Sequence, residues 1–402
     1  MNKVNSLQRV VVIGAGQAAA QLATSLRQGG HVGEILVIGE EPYLPYQRPP
    51  LSKKFLTERP APESLYLRPD SFWRDQRVDM VLGAAVGAIN LHNKMVTLTT
   101  GAEFAYERLV FATGTCARIL PLPGLSSPNV FSLRTTNDAR AMRPALDLAR
   151  RVLIVGAGYI GLEVAAVMRG EGRAVTVVEA EDRVLKRVTS PVTSAFFDAL
   201  HRERGTDLRL GTRLAGIMQE RTGLTAALAG GETIAADVAL LATGARANDQ
   251  LAAACGVACD DGILVDEYGR TSIDGVYAIG DCTRLPSQRY ARRIRLESVQ
   301  NAIDQAKAAA ATILGHQAPY NPVPWFWSDQ FDVKLQIAGL CDGYDCVDTV
   351  GEASSAKFSV EYRRGGRLIA VDAVNDPRAH MMARRRIAEE TAADVAAFDG
   401  AA

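Results

Sequence analysis

The sequence predicts an α/β protein with two open, parallel β-sheets that are covered by helices. Three observations support this prediction. At two places a short β-branched strand runs into a glycine-rich loop and a helix, each of these units is followed by a strand that ends in an acid, and two later strands end in Ala-Thr-Gly. Apolar strands that alternate with helices are typical of a parallel sheet buried on both faces.

Length and composition limit the function. The 402 residues suffice for two or three domains, and 45 basic residues balance 45 acidic ones, which argues against nucleic acid or a membrane as partner. The pattern shows neither a secretory signal nor a spanning run of about 20 apolar residues. Six scattered cysteines indicate neither a disulfide framework nor a metal site. We expect a cytoplasmic protein.

The first glycine loop has the residues that a dinucleotide needs. Gly14 permits a tight turn, Gly16 lets a pyrophosphate approach the backbone, and Ala19 lets the following helix pack closely on the strand. The N–H groups that begin this helix would face the phosphates. The next strand ends at Glu40, where a carboxylate can bind the hydroxyls of an adenosine ribose.

The second glycine loop repeats this arrangement. It contains Gly156, Gly158 and Gly161, and the strand that follows ends at Glu179. Two complete units predict two bound dinucleotides.

Glu179 also favours NADH over NADPH, because a carboxylate binds the free ribose hydroxyls and repels a 2′-phosphate. Glu181 and Asp182 add negative charge nearby. Arg183 and Arg187 lie further along the chain and could contact a phosphate, so NADPH stays an alternative.

Three later strand ends indicate where a flavin would bind. One strand ends at Thr113-Gly114, and a similar one ends at Gly244. A third ends at Gly280-Asp281, after the second glycine loop. An aspartate at this position suits the ribityl and pyrophosphate region of FAD.

With these motifs, the sequence resembles the FAD-dependent ferredoxin reductases with a glutathione-reductase-like fold, the family of putidaredoxin reductase and the biphenyl dioxygenase ferredoxin reductases. The resemblance runs from about Val10 into the final third of the chain. It rests on residues 44–53, the two glycine loops, Gly280-Asp281, residues 297–302 and Trp325–Gln330.

The resemblance implies a discontinuous FAD domain with the NADH domain inserted into it. The FAD domain would comprise residues 1–115 and 246–320, and the NADH domain residues 116–245. Residues 321–402 would form a small C-terminal α/β interface domain, with strands near 334–338, 357–362 and 368–371 and a last helix over about 381–397.

The resemblance also implies the FAD contacts. Glu40 would bind the adenosine ribose, Arg48 the pyrophosphate, and Lys53 would approach the flavin ring, where a cation favours the anionic reduced form. A helix predicted over residues 297–310 would point its amino end at the pyrimidine end of the ring. The implied contacts are Ala18, Glu40, Arg48, Lys53, Val86, Arg134 and Asp281, together with Glu297, Ser298 and Val299 at the helix start.

Three further residues are candidates for a catalytic role beside Lys53. In the family, a residue such as Glu163 lies near the nicotinamide and pairs with a lysine such as Lys53, and Trp327 lies beside the isoalloxazine. Tyr159, inside the second glycine loop, could cover the flavin face until the nicotinamide displaces it. The ordinary structural alternatives are a solvated helix residue for Glu163 and packing residues for Tyr159 and Trp327.

The predicted reaction is hydride transfer from NADH to FAD, followed by release of single electrons. The chain has no cysteine cluster that could ligate an iron–sulfur centre, so we expect the acceptor to be a separate [2Fe–2S] ferredoxin that serves a haem-thiolate or Rieske oxygenase. Two arginine clusters are candidate docking patches for an acidic ferredoxin or simply solvated faces. They are Arg289, Arg292, Arg293 and Arg295, and Arg384, Arg385 and Arg386.

Several alternatives follow from the same motifs. A dithiol reductase, a flavin NADH oxidase or a peroxidase needs cysteine beside the flavin, and residues 43–53 contain none. A direct monooxygenase is disfavoured because nothing indicates a substrate cavity over the ring. A reductase of a small acceptor, such as a quinone or an ascorbate radical, and a flavoprotein with a signalling or binding role both stay open.

Overall fold

The computed structural model describes residues 9–317 and 319–399, which form two compact units. The first unit contains the described residues up to Gln47, Ala61–Cys116 and Arg246–Pro322. The second contains Arg48–Pro60, Ala117–Ala245 and the described residues from Val323 onward. Arg48–Pro60 thus groups with the second unit, although the flanking segments belong to the first.

The first unit is built on a parallel five-stranded sheet in the order β19-β7-β1-β2-β3. Numbered in chain order, these strands are β1 (Val10–Ile13), β2 (Ile35–Gly39), β3 (Val78–Leu82), β7 (Arg108–Phe111) and β19 (Val276–Ala278). β1 is buried along its whole length, as expected for the central strand of a parallel sheet that is covered on both faces.

Smaller elements complete the first unit. Three short sheets join β4 to β5 and β6, β8 to β17, and β18 to β20 and β21. These strands are β4 (Val86–Asn90), β5 (Met95–Leu98), β6 (Glu103–Ala105), β8 (Thr115–Ala117), β17 (Ala245–Ala247), β18 (Ile263–Leu264), β20 (Thr283–Ser287) and β21 (Arg292–Ile294). The helices are α1 (Gln17–Gln28), α3 (Asp70–Asp75), α7 (Gln250–Ala254) and α8 (Val299–Ile313).

Small side chains hold the helical layer of the first unit close together. α1 and α8 pack against each other, and both contribute buried alanines to one core cluster, among them Ala19, Ala23, Ala306 and Ala309. Alanine lets two helices approach closely without loss of helix propensity. This packing fixes the amino ends of both helices relative to the sheet.

The second unit contains another parallel five-stranded sheet, in the order β12-β11-β10-β16-β9. A three-stranded antiparallel sheet of β13, β14 and β15 accompanies it. The strands are β9 (Val130–Ser132), β10 (Arg151–Val155), β11 (Ala174–Val178), β12 (Asp207–Arg209), β13 (Leu214–Gln219), β14 (Leu224–Leu228), β15 (Thr233–Ala236) and β16 (Val238–Leu241). The helices are α2 (Lys54–Thr57), α4 (Thr136–Leu148), α5 (Tyr159–Gly170) and α6 (Pro191–Glu203).

An antiparallel sheet and one long helix end the second unit. The sheet order is β22-β23-β26-β25-β24, and the helix α9 (Pro377–Asp399) packs on β23 and β26. The strands are β22 (Trp325–Gln330), β23 (Val333–Gly339), β24 (Cys346–Glu352), β25 (Lys357–Arg364) and β26 (Arg367–Val374). Leu368 and Val371 meet Ala383 and Ile387 in the core between sheet and helix.

The predicted fold class, with two Rossmann-like parallel sheets and a C-terminal α/β region, is confirmed. Three details of the prediction were wrong. α8 begins at Val299 rather than at Glu297, because the Ser298 hydroxyl caps it by accepting from Asn301 N at 3.1 Å. α9 begins at Pro377 rather than at about residue 381. β22 and β24 were not predicted as strands, and the exposed residues of β24 show no apolar alternation.

Within the described part of the chain, no helix combines the length and the apolar character that a bilayer crossing needs.

Candidate active site

The first glycine loop leaves the amino end of α1 open. Gly14 has a φ of +105°, and a Cβ there would lie 2.2 Å from Ala112 O, so only glycine fits the turn. A Cβ on Gly16 would meet nothing within 4 Å. Gly16 is also the N-cap of α1 and provides no side-chain cap. Its open space and uncapped N–H groups fit a pyrophosphate.

The second glycine loop has the same open cradle at the start of α5. Gly156 has a φ of +108°, and a Cβ on Gly158, the uncapped N-cap, would meet nothing within 4 Å. A Cβ on Gly161 would lie 2.0 Å from Gly156 O. The Glu179 carboxylate accepts hydrogen bonds from Ala157 N at 2.6 Å and from Glu181 N. It therefore orders the loop.

The Gly280-Asp281 turn of the first unit is held by a glutamine on α8. Gln305 Oε1 accepts from Gly280 N at 2.7 Å and lies 3.0 Å from Thr283 Oγ1. Gln305 is buried. The turn also lies against α1, because a Cβ on Gly280 would be 3.1 Å from Ala18 Cβ. The predicted contacts Ala18, Gly280 and Asp281 are thus neighbours within one unit.

Glu163 lies at the centre of a buried polar cluster in the second unit. Lys53 Nζ is 2.8 Å from Glu163 Oε2, and Ser52 Oγ donates to the same oxygen at 2.5 Å. Ser328 Oγ donates to Oε1 at 2.8 Å, and Asp329 N lies 3.4 Å from it. Only 4% of Glu163 is exposed, so the solvated-helix alternative is wrong. A buried carboxylate with this many donors is held in one orientation.

The candidate aromatic residues meet at strand β22. The Tyr159 ring centroid lies 4.6 Å from that of Phe326, and the Phe326 ring in turn lies 6.2 Å from that of Trp327. Burial raises the pKa of the Tyr159 hydroxyl well above its usual range, so the phenol stays neutral. The second unit therefore joins Lys53, Glu163, Tyr159 and Trp327 around α5 and β22.

Comparison with known proteins gives the family. The family model of the pyridine nucleotide-disulphide oxidoreductases matches residues 8–306. The family model of the reductase C-terminal domain matches residues 325–401. The chain belongs to the pyridine nucleotide-disulphide oxidoreductases. It is therefore an oxidoreductase, and the cofactors of this family branch are FAD and NAD(P)H.

Ferredoxin reductases are among the relatives of this oxidoreductase. It is 43% identical to rhodocoxin reductase of Rhodococcus erythropolis, over 95% of this chain and 90% of the relative. It is 41% identical to the 5,5′-dehydrodivanillate O-demethylase ferredoxin reductase subunit of a Sphingobium species, over 96% and 94%. The solved covalent putidaredoxin reductase–putidaredoxin complex matches with a TM-score of 0.91 and 38% identity, over 94% and 93%. The resemblance inferred from the motifs is confirmed.

Other predicted contacts of the oxidoreductase can also be placed in the structure. Arg48 Nη1 donates to Arg134 O at 2.8 Å, so these two lie together in the second unit. Thr113 Oγ1 donates to Asn248 O at 2.6 Å. Val86 lies half-buried on β4, Glu40 is exposed directly after β2, and an Arg187 nitrogen lies 3.5 Å from where a Gly244 Cβ would be.

Sequence reasoning missed Ser52, Ser328, Gln305 and Asn248. Ser52 and Ser328 lie within the family motifs, but their partner Glu163 is more than 100 positions away along the chain, so the motifs did not indicate the contact. Gln305 and Asn248 lie outside the motifs. One signal was present for Ser328: it follows Trp327 in an apolar strand, and a buried hydroxyl needs a partner. Among the described residues, His, Cys, Asp and Glu form no cluster suited to a metal ion.

Proposed function

We propose that the chain is an NADH-dependent ferredoxin reductase that serves an oxygenase of the haem-thiolate or Rieske type. One observation carries the proposal: the chain matches, over nearly its full length, a ferredoxin reductase subunit of an O-demethylase and a putidaredoxin reductase solved with putidaredoxin. When bound, FAD supplies the chemistry that accepts a hydride and passes on single electrons. A [2Fe–2S] ferredoxin is the proposed acceptor.

The first unit is proposed to hold FAD. Gly14, Gly16, Ala18 and Ala19 would receive the pyrophosphate, with Glu40 on the adenosine ribose. Asp281 would meet the ribityl chain, and α8, from Ser298 and Val299, would direct its positive amino end at the flavin ring. The open space at Gly16 supports this assignment. Val86, Thr113, Gly114 and Glu297, and Arg48 and Arg134 of the second unit, stay predictions as further contacts.

The second unit is proposed to hold NADH through Gly156, Gly158, Gly161, Glu179 and Gly244. The basic residues nearby support NADH over NADPH. Arg183 already donates to Thr189 O at 2.9 Å, Ser194 Oγ at 2.6 Å and Lys186 O at 3.0 Å. Lys186 pairs with Glu181 and Asp182. Arg183 and Lys186 are thus engaged within the protein, whereas a 2′-phosphate needs a cation of its own. Arg187, whose guanidinium lies 3.5 Å from the position of a Gly244 Cβ, keeps NADPH open as the alternative.

The proposed catalytic residues are Lys53, Glu163, Tyr159 and Trp327. In this proposal Lys53 places positive charge at the flavin ring and Glu163 fixes the lysine. Tyr159 occupies the nicotinamide position when no NADH is bound. Trp327 lies on the side where electrons leave.

A dithiol mechanism has little support from the cysteines. Burial raises the pKa of the Cys282 thiol and raises that of Cys259 to about 11. A thiolate is the reactive form in dithiol chemistry, and these thiols stay protonated at neutral pH. A cytoplasmic location stays a prediction, supported by the need for NADH.

Acceptor and donor specificity test the proposal. The purified flavoprotein would be assayed with NADH and with NADPH, against a [2Fe–2S] ferredoxin, a rubredoxin and a small quinone. We expect at least about tenfold higher kcat/KM for NADH and the fastest turnover with the ferredoxin. Equal rates with the quinone and no ferredoxin reduction would contradict the proposal and favour the small-acceptor alternative.

A further inference from the structure

Strand β22 presents a row of buried polar groups that the reaction as described so far does not use. Successive residues of a strand point to opposite faces, so Phe326, Ser328 and Gln330 share one face. Phe326 contacts Tyr159 and Ser328 contacts Glu163, so this face lies against α5. Ser328 and Gln330 are both fully buried.

Beyond Ser328, the hydrogen bonds continue to a buried histidine on α6. Gln330 Nε2 donates to Ser328 Oγ at 3.2 Å, and His201 Nε2 lies 3.0 Å from Gln330 Oε1. His201 Nδ1 is 3.4 Å from Thr206 Oγ1. His201 is fully buried and Thr206 nearly so. A continuous polar chain therefore runs through the interior from Thr206 to Glu163.

This chain has a single direction of donation. Since Glu163 Oε1 can only accept, Ser328 donates to it and accepts from the Gln330 amide N–H. Gln330 Oε1 must then accept, so His201 carries its proton on Nε2 and Thr206 donates to Nδ1. Burial lowers the pKa of His201 to about 4, and the imidazole is therefore neutral at physiological pH. The direction of hydrogen-bond donation along the chain is therefore the same throughout the physiological pH range.

We propose that Ser328, Gln330 and His201 are positioning residues that fix the Glu163 carboxylate against Lys53 and thereby set the rate of hydride transfer. This rests on the proposed function, in which Lys53 places positive charge at the flavin ring and Glu163 fixes the lysine. The chain orients Glu163 and does not conduct protons, because the Gln330 amide in its middle has no proton to pass on without losing its amide form. The same bonds fix β22, which carries Trp327.

Rapid-reaction kinetics test the role of the chain. Ser328→Ala and Gln330→Met each remove one link, and we expect the limiting rate of flavin reduction to fall about tenfold. The Kd for NADH should change little, because no residue of the chain is proposed to bind NADH. His201→Leu should behave like Gln330→Met. His201→Gln should retain most of the rate, since its amide can still donate toward Gln330.

Lys357→Met, at an exposed position at the start of β25 in the same sheet, controls for a general disturbance of the sheet. Unchanged limiting rates in Ser328→Ala and Gln330→Met would overturn the proposal. So would equal losses in His201→Gln and His201→Leu. If one variant fails to fold, the remaining link carries the same test.

Histidine ¹⁵N NMR of the native flavoprotein provides a measurement that does not depend on turnover. The His201 signal is assigned by its loss in His201→Gln. We expect a neutral Nε2–H tautomer that does not titrate between pH 5 and 8, and a shift of this signal in Gln330→Met. An ordinary titration near pH 6.5 or an Nδ1–H tautomer would overturn the chain. If NADH fails to reduce the flavin while NMR finds the chain intact, the proposed function fails instead.

Discussion

The two glycine loops follow one plan and differ at the third small residue. Both first glycines have a left-handed φ and face a strand-end carbonyl, and both second glycines are open. The first loop has room for the Cβ of Ala19, whereas a Cβ on Gly161 in the second loop would lie 2.0 Å from Gly156 O. α5 therefore approaches its loop more closely than α1 does. The distance between helix and strand decides between glycine and alanine here.

The acids that end the second strands also differ. Glu40 is exposed, whereas Glu179 is half-buried and bonded to Ala157 N and Glu181 N. Glu179 can therefore contribute to the structure of its loop as well as to ligand binding. At the same motif position, Glu40 is expected only to bind a ligand, whereas Glu179 is expected to bind a ligand and to support its loop.

The largest effect is expected from Gly161→Ala. The new Cβ would overlap Gly156 O and push α5 away, which should destabilise the second unit by about 1–3 kcal/mol and weaken NADH binding more than about tenfold. Calorimetry and NADH titration measure both effects. The reciprocal change Ala19→Gly is the control, with FAD retained and a destabilisation of only about 1 kcal/mol. Equal effects of the two changes would contradict the difference in packing.

The next effect separates the two acids. Glu179→Ala removes charge-assisted bonds worth roughly 1.5–3 kcal/mol, so we expect both a lower unfolding temperature and NADH binding about 10–100-fold weaker. Glu40→Ala should weaken FAD binding while the unfolding temperature of the FAD-free protein changes little. Thermal unfolding with and without FAD, together with NADH titration, tests this. Loss of stability in FAD-free Glu40→Ala would mean that both acids support their loops.

Stability of the second unit should also depend on pH through Asp372. This buried carboxylate accepts from Thr193 Oγ1 at 2.8 Å and from the Tyr362 hydroxyl, yet burial raises its pKa to about 7. Since the pKa of Asp372 in the folded protein exceeds that of an exposed aspartate, protonated Asp372 contributes to the free energy of unfolding. This contribution is complete below about pH 4 and is lost as the pH rises through 7. We expect Asp372→Asn to make the unfolding temperature depend less steeply on pH between pH 5 and 8. An unchanged slope would exclude Asp372 as its origin.

The smallest effect is expected at the arginine clusters, one in each unit. Arg385 pairs with Glu389 and Arg386 with Glu361, while Arg384 stacks on Trp325 at 5.0 Å. Much of this charge is already compensated. Replacing all three by glutamine should lower ferredoxin turnover only a few-fold at low salt, and should flatten its salt dependence if this cluster docks the partner. A dependence that persists would favour the cluster of Arg289 to Arg295 in the first unit.

Residues with a local signature could be predicted from the sequence. Gly14, Gly156 and the strands around them follow from short-range sterics and periodicity, and the family motifs led to Lys53 and Glu163. The grouping of Arg48–Pro60 with the second unit and the polar chain through His201 could not be predicted. Their contacts join residues more than 100 positions apart, and a buried serine or histidine resembles an exposed one in the sequence.

The division of the first unit along the chain has a consequence for synthesis on the ribosome. β7 pairs with β1 on one side and with β19 on the other, and α1 packs against α8. The partners β19 and α8 are translated only after every strand of the parallel sheet of the second unit. Until then the nascent protein carries an unpaired strand edge and an uncovered apolar helix face, both of which favour aggregation. Chaperone binding during this interval would protect the growing chain.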